Sequence, residues 1–161
     1  MTAFFDASAL VKLYVQEPEN DVVPSVDDPP MISELTRVEL PAAFWRKHRL
    51  GQLSAHAAAR LSSEFAADYY GEGGEPRFAV MRISDPTVSM AARLVARADL
   101  RAGDAIQLAA ALVARQVGRE VTAFAASDAR LRTAAAIEGF TLVPSSLAAG
   151  GRPPSSERPY D

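Results

Sequence analysis

Short apolar runs alternate with helical segments almost throughout this chain, and that alternation limits the fold more than any other feature. AFF (3–5), MIS (31–33), FAVMRI (78–83), VTAFAAS (121–127) and FTLVP (140–144) read as strands. Helical segments lie between them. Ser8 is placed to cap a helix to about Val15, stopped by Glu17-Pro18. ELTRVELPAAFWRKHRLG (34–51) reads as a helix ended by Gly51, with Pro41 inside it expected to kink it near Arg37. Ser54 opens an alanine-rich helix to about Tyr70, and GEGGEP (71–76) is a connector. Ser84, Asp85 and Pro86 start a helix to about Ala98. Gly103-Asp104 opens AIQLAAALVARQ, apolar nearly all round and therefore expected at the centre. DARLRTAAAIEG closes on Gly139. Such alternation predicts an α/β fold, a three-layer α/β/α sandwich with a mainly parallel central sheet.

The chain has 161 residues, the size of a single domain. One domain is expected over residues 1–147, with a disordered tail over 148–161, where Gly, Pro and Ser accumulate. Cysteine is absent, which excludes a disulfide framework and a thiolate metal site and suits a reducing, cytoplasmic setting. No signal-peptide pattern opens the chain, and no apolar run reaches the length of a membrane span. A net charge of −3 excludes non-specific coating of nucleic acid, though charge can be segregated. The cations gather as Arg46, Lys47, His48 and Arg49, and as Arg93, Arg97 and Arg101. Solvated helix faces explain either group, and arginine also suits phosphate recognition.

The acids are less ordinary. Asp6 directly follows Phe4-Phe5, at the end of an apparently buried strand, where an unpartnered carboxylate is costly. In open α/β sheets, ligands bind beyond the carboxyl ends of the strands. Asp128 ends another strand, Asp104 starts the central helix, and Glu39 lies early in the helix after the second strand. Each has an ordinary explanation: Asp6 as a turn residue, Asp104 and Asp128 as helix caps, Glu39 as an exposed helix acid. Together they are expected on one edge. Carboxylates about 4 Å apart repel by a few kcal/mol at an effective dielectric of 20. A divalent cation removes that penalty, and an all-oxygen set suits Mg²⁺ or Mn²⁺.

FFDASALVKLY, ISELTRVEL, LRAGDAIQLAAAL and FAASDARLRTAAAIEGF, in that order over residues 3 to about 144, carry a family resemblance. The chain resembles PIN-domain ribonucleases, and most closely the VapC-type toxins of bacterial toxin–antitoxin pairs. The resemblance implies a PIN-like sandwich and makes Asp6, Glu39 and Asp104 the core metal ligands, with Asp128 as the more variable fourth. Ser8 and Ser127 would orient the carboxylates or the water. It implies endoribonuclease activity dependent on Mg²⁺ or Mn²⁺, in which a metal-activated water hydrolyses the phosphodiester. It also implies a homodimer and a cognate antitoxin protein whose tail lies in the active-site groove. The Pro41 beside Glu39, the loop 18–30 and the tail have no role in this picture.

Other residues weigh less. Arg130 and Arg132 could touch RNA phosphate or lie on a solvated helix face. Glu34 is near enough to Glu39 to join the rim. Asp85 reads as a cap, and Asp99 ends a helix where a negative charge is unfavourable. Phe44 and Trp45 read as core, with a partner contact as the alternative. His48 and His56 lack metal-ligand spacing. Two other readings stand beside the nuclease. One is a PIN-like domain that binds RNA or a partner without catalysis. The other is an aspartyl-phosphate enzyme, which usually needs an acid two residues after Asp6, where Ser8 stands.

Overall fold

The computed structural model describes residues 2–15 and 29–143. The strands are β1 (Thr2–Phe5), β2 (Met31–Ser33), β3 (Ala79–Met81), β4 (Val121–Ala125) and β5 (Thr141–Val143). The helices are α1 (Ala7–Leu10), continued by a 3-10 turn over Val11–Leu13, α2 (Thr36–Arg49), α3 (Ala55–Tyr70), α4 (Asp85–Ala98), α5 (Ala102–Gln116) and α6 (Ala129–Ile137). The strands form one five-stranded sheet in the order β3-β2-β1-β4-β5, and every pairing is parallel. The expected α/β sandwich is therefore present. The loop read over 18–30 falls largely outside the described residues, as do the boundary at 147 and the tail.

Side-chain alternation along the strands divides the core in two. Ala3, Phe5, Ile32, Ala123 and Ala125 pack with α1, α2 and α3. Phe4, Met31 and Phe124 point the other way and pack with α4, α5 and α6. The Phe4 and Phe124 rings stack at 5.6 Å, with Phe140 tilted 5.7 Å from Phe124. Alanine keeps α5 close to its neighbours, and from Gln107 to Ala114 the helix is buried throughout.

Several local expectations change. Ser8 does not cap the first helix. Asp6 does, in an extended conformation, accepting from the Ser8 amide at 2.9 Å. The helix read to Val15 ends early, in the 3-10 turn. Helix α2 continues on both sides of Pro41, whose missing amide leaves the carbonyl of the exposed residue Arg37 without its helical partner. Asp85 is the first residue of α4, and Ser84 holds the capping position. Asp99 ends α4 in the left-handed region at φ 50°, where aspartate is tolerated better than most residues. After α3, Gly71 turns at φ 73°, and a side chain there would lie 2.7 Å from the Pro76 nitrogen.

Because β1 crosses to β2 on one side and β4 begins the other half of the sheet, the strand order reverses between β1 and β4. A crevice at the carboxyl ends of these strands is the place such a sheet offers a ligand. The Asp6 amide donates to the Ala125 carbonyl at 2.9 Å and carries the pairing one residue beyond the strands.

Phe124→Ala should lower unfolding free energy by about 3–5 kcal/mol, since it empties the centre of the core against Phe4 and Phe140. Val117→Ala, on a side chain 65% exposed, should change it by less than about 0.5 kcal/mol. Urea titrations of both variants check this.

Candidate active site

Asp6 is only 5% exposed. It is held in place by Ser8, whose amide and hydroxyl both donate to Oδ2. The Ser8 hydroxyl in turn accepts from the Ser127 amide at 3.0 Å, and the Ser127 hydroxyl donates to the Ser8 carbonyl at 3.1 Å. The end of β1 and the loop after β4 are thus tied together on both sides of Ser8. Asp128 starts that loop's helix, its carboxylate accepting from the Leu131 amide at 3.0 Å.

Asp104 is in the first turn of α5, two residues inside the helix start. It is not the cap, a position held by Arg101. Glu39 is in the first turn of α2 and half-buried, not an exposed helix acid. Gln107 Nε2 donates to its Oε2. Gln107 is fully buried, and its Oε1 accepts from the Ser33 hydroxyl at 2.8 Å. Gln107 is not among the residues that the sequence pattern singles out. The available signal was a single amide in an otherwise apolar helix, three residues after Asp104 and so on the same face.

The acids share one field. Burial pushes the Asp6 carboxyl above its ordinary value, the Asp128 charge adds to the rise, and hydrogen bonds from Ser8 and from the Ala7 amide oppose it. Glu39 is raised by burial and by Asp6 and Asp104, against the Gln107 amide. Asp104 is raised by burial, then by Asp6 and Asp128, with Arg101 pulling the other way. Among the described residues, none of the four is ion-paired to a Lys or Arg. Nor do any three acidic or histidine side chains there stand as a ready-made metal-ligating group. Asp6 and Asp128 are held from within their own turns and Glu39 by Gln107 of α5, while neighbouring carboxylates of the set repel one another. An oxygen-only donor set that is partly buried, with no Lys or Arg ion-paired to it among the described residues, fits a hard divalent ion such as Mg²⁺ or Mn²⁺.

The surroundings sort the remaining candidates. A cavity of about 160 Å³ beside the acids is lined by Asp99, Arg101, Asp104, Asp128 and Arg130. Arg130 and Asp99 of this lining pair at 3.1 Å, and both side chains are highly exposed. Arg132 points inward instead, donating to the Ala126 and Val143 carbonyls at 3.0 Å each. Of the second arginine group only Arg101 lines the cavity; Arg97 is paired with Glu138. Phe44 is core, and Trp45 is partly exposed against His48, whose ring meets the Leu53 carbonyl at 3.0 Å. Glu34 follows β2 directly, its amide donating to the Met81 carbonyl at 2.9 Å.

Residues 3–137 match the PIN domain family. The chain belongs to that family, whose members are typically metal-dependent nucleases. No curated protein matches the sequence. Among solved structures it is similar to PAE2754 from Pyrobaculum aerophilum, at 23% identity and a TM-score of 0.58, over 88% of this chain and 83% of that one. It is also similar to VapC20 from Mycobacterium tuberculosis, described as a Sarcin-Ricin loop cleaving toxin. That likeness has 17% identity and a TM-score of 0.57, over 86% of this chain and 96% of the other. At these identities both are likenesses of fold. Among the described residues no helix is long and apolar enough to cross a membrane.

A raised carboxyl favours the folded state only while it can hold its proton. Its contribution is full below the ordinary value near 3.8 and is lost as pH rises through the folded-state value. Asp6→Asn keeps an oxygen for Ser8 and removes the charge. Without divalent ions, the variant should melt above wild type at pH 7, and the gap should close as pH falls below that ordinary value. Thermal unfolding in EDTA across this range is the check; equal melting at pH 7 would mean that the Asp6 charge is already compensated.

Proposed function

We propose that this chain is a metal-dependent endoribonuclease, the toxin of a VapBC-type toxin–antitoxin pair. The observation that carries the reading is the gathering of the buried or partly buried Asp6, Glu39 and Asp104, with the Asp128 charge beside them, at the strand-order reversal, with no Lys or Arg ion-paired to any of the four among the described residues. PIN-family membership supports the nuclease class. The likeness to VapC20, described as a Sarcin-Ricin loop cleaving toxin, supports a toxin role with a structured RNA as substrate and a cognate antitoxin as partner; a homodimer is part of the same proposal.

Asp6, Glu39 and Asp104, with Asp128, would hold Mg²⁺ or Mn²⁺, and the bound ion would activate water and offset charge on the phosphate. The chain's own residues do the positioning. Ser8 and Ser127 fix the Asp6 carboxylate against β4. Arg101 and Arg130 line the adjoining cavity and would take the RNA backbone phosphates. The exposed Asp99–Arg130 pair is worth little, so Arg130 can exchange one anion for another at small cost.

Purified protein incubated with total RNA should cut it with Mg²⁺ or Mn²⁺ and not with EDTA. Asp6→Ala, Glu39→Ala and Asp104→Ala should each reduce cutting to background while the far-ultraviolet spectrum stays native. No cutting by antitoxin-free wild type would favour a domain that binds without catalysis. Arg130→Ala should leave the metal requirement intact, weaken RNA binding, and lower the salt dependence of that binding by about 0.7 in log–log slope, the share of one single-strand phosphate contact. Binding titrations at several salt concentrations read this directly.

A further inference from the structure

The two oxygens of Glu39 are treated differently. Oε2 is engaged by Gln107 Nε2, which also reaches the Thr36 hydroxyl at 3.3 Å. The Gln107 amide cannot turn away freely, because its own oxygen holds the Ser33 hydroxyl at 2.8 Å and all three side chains are fully buried. Oε1 accepts no hydrogen bond among the described residues. It lies against the bare Cα of Gly103, where a Cβ would stand 3.0 Å away. That is tighter than nine in ten real Cβ contacts, so a side chain at this position would push Oε1 aside by a few tenths of an ångström.

We propose that Gln107 and Gly103 are positioning residues for Glu39, the first occupying one oxygen and the second leaving room for the other, so that Glu39 presents Oε1 alone to a divalent ion. The inference rests on the metal-dependent reading above. A neutral amide suits this task. It orients the carboxylate without cancelling its charge, whereas an arginine in its place would orient it and also oppose a cation. The network spans three elements: Ser33 ends β2, Thr36 and Glu39 start α2, and Gln107 belongs to α5. Partners that hold a ligand in this way typically cost about 10–100-fold in metal affinity when removed.

Gly103 makes the proposal separable from plain stability. It lies in the first turn of α5 with an ordinary helical backbone, where alanine favours the helix. Gly103→Ala should therefore melt at or above the wild-type temperature in EDTA and yet bind Mn²⁺ measurably more weakly by calorimetry. Gln107→Leu should show a similar loss with a lower melting temperature. Ile32→Val, on the opposite face of β2, is a destabilised control and should bind Mn²⁺ as wild type does. Unchanged affinity in the folded Gly103→Ala and Gln107→Leu proteins would overturn the inference while leaving the metal reading in place. If only one loses affinity, the other has no positioning role. If Gln107→Leu does not fold, Gly103→Ala decides alone. A wild type that binds no Mn²⁺ would overturn the metal reading and this inference with it.

Discussion

A carboxylate held at the end of the central strand is the constraint on which the rest of the rim depends. β1 is covered on both faces, so Ala3, Phe4 and Phe5 can all be apolar, and the first place the chain can offer charge is the residue after them. Asp6 sits there almost out of water, an arrangement that burial alone would disfavour. Hydrogen bonds from Ser8, the tie from Ser8 to Ser127 and the backbone bond to Ala125 keep it in place. The core on either side of β1 supplies the stability that lets those bonds hold a repelling group still.

Helix α5 joins that core to the site. Its alanines pack beneath the sheet, and on the same helix Asp104 and Gln107 turn toward the acids. The alternation on β2 serves the same end: Met31 goes into the apolar cluster, and Ser33, two residues on, points the same way and reaches Gln107. Polar groups inside a core are tolerated when each finds a partner, and here they form one connected set. The groups around Glu39 are therefore held by the packing itself, which keeps them rigid.

The element pattern was legible because apolar periodicity and turn residues are local signals, and every strand was found within a few residues. Helix starts were harder. Ser8 looked like a cap, but the extended backbone at Asp6 puts that carboxylate, not the Ser8 hydroxyl, over the free amides. The four acids could be named from their places in the alternation, since strand ends of a parallel sheet share one edge. Their strain could not, because it depends on burial and on distances between segments far apart in the chain. Arg130 and Arg132 are two residues apart with similar chemistry; one opens onto the acidic cavity and the other ties the ends of β4 and β5, a difference that only the packing of α6 decides.

By itself, then, the sequence determined the kind of sheet, the order of its helices and the carboxylates available at its edge, because these follow from hydrophobic period and local turn chemistry. The tertiary structure decided the strand order, the reversal between β1 and β4, and the surroundings of each acid. It also decided that a lone glutamine in an apolar helix would meet Glu39, and that a glycine would leave its second oxygen free. Those contacts join residues on separate elements, and no pattern along the chain measures the distance between elements before they pack.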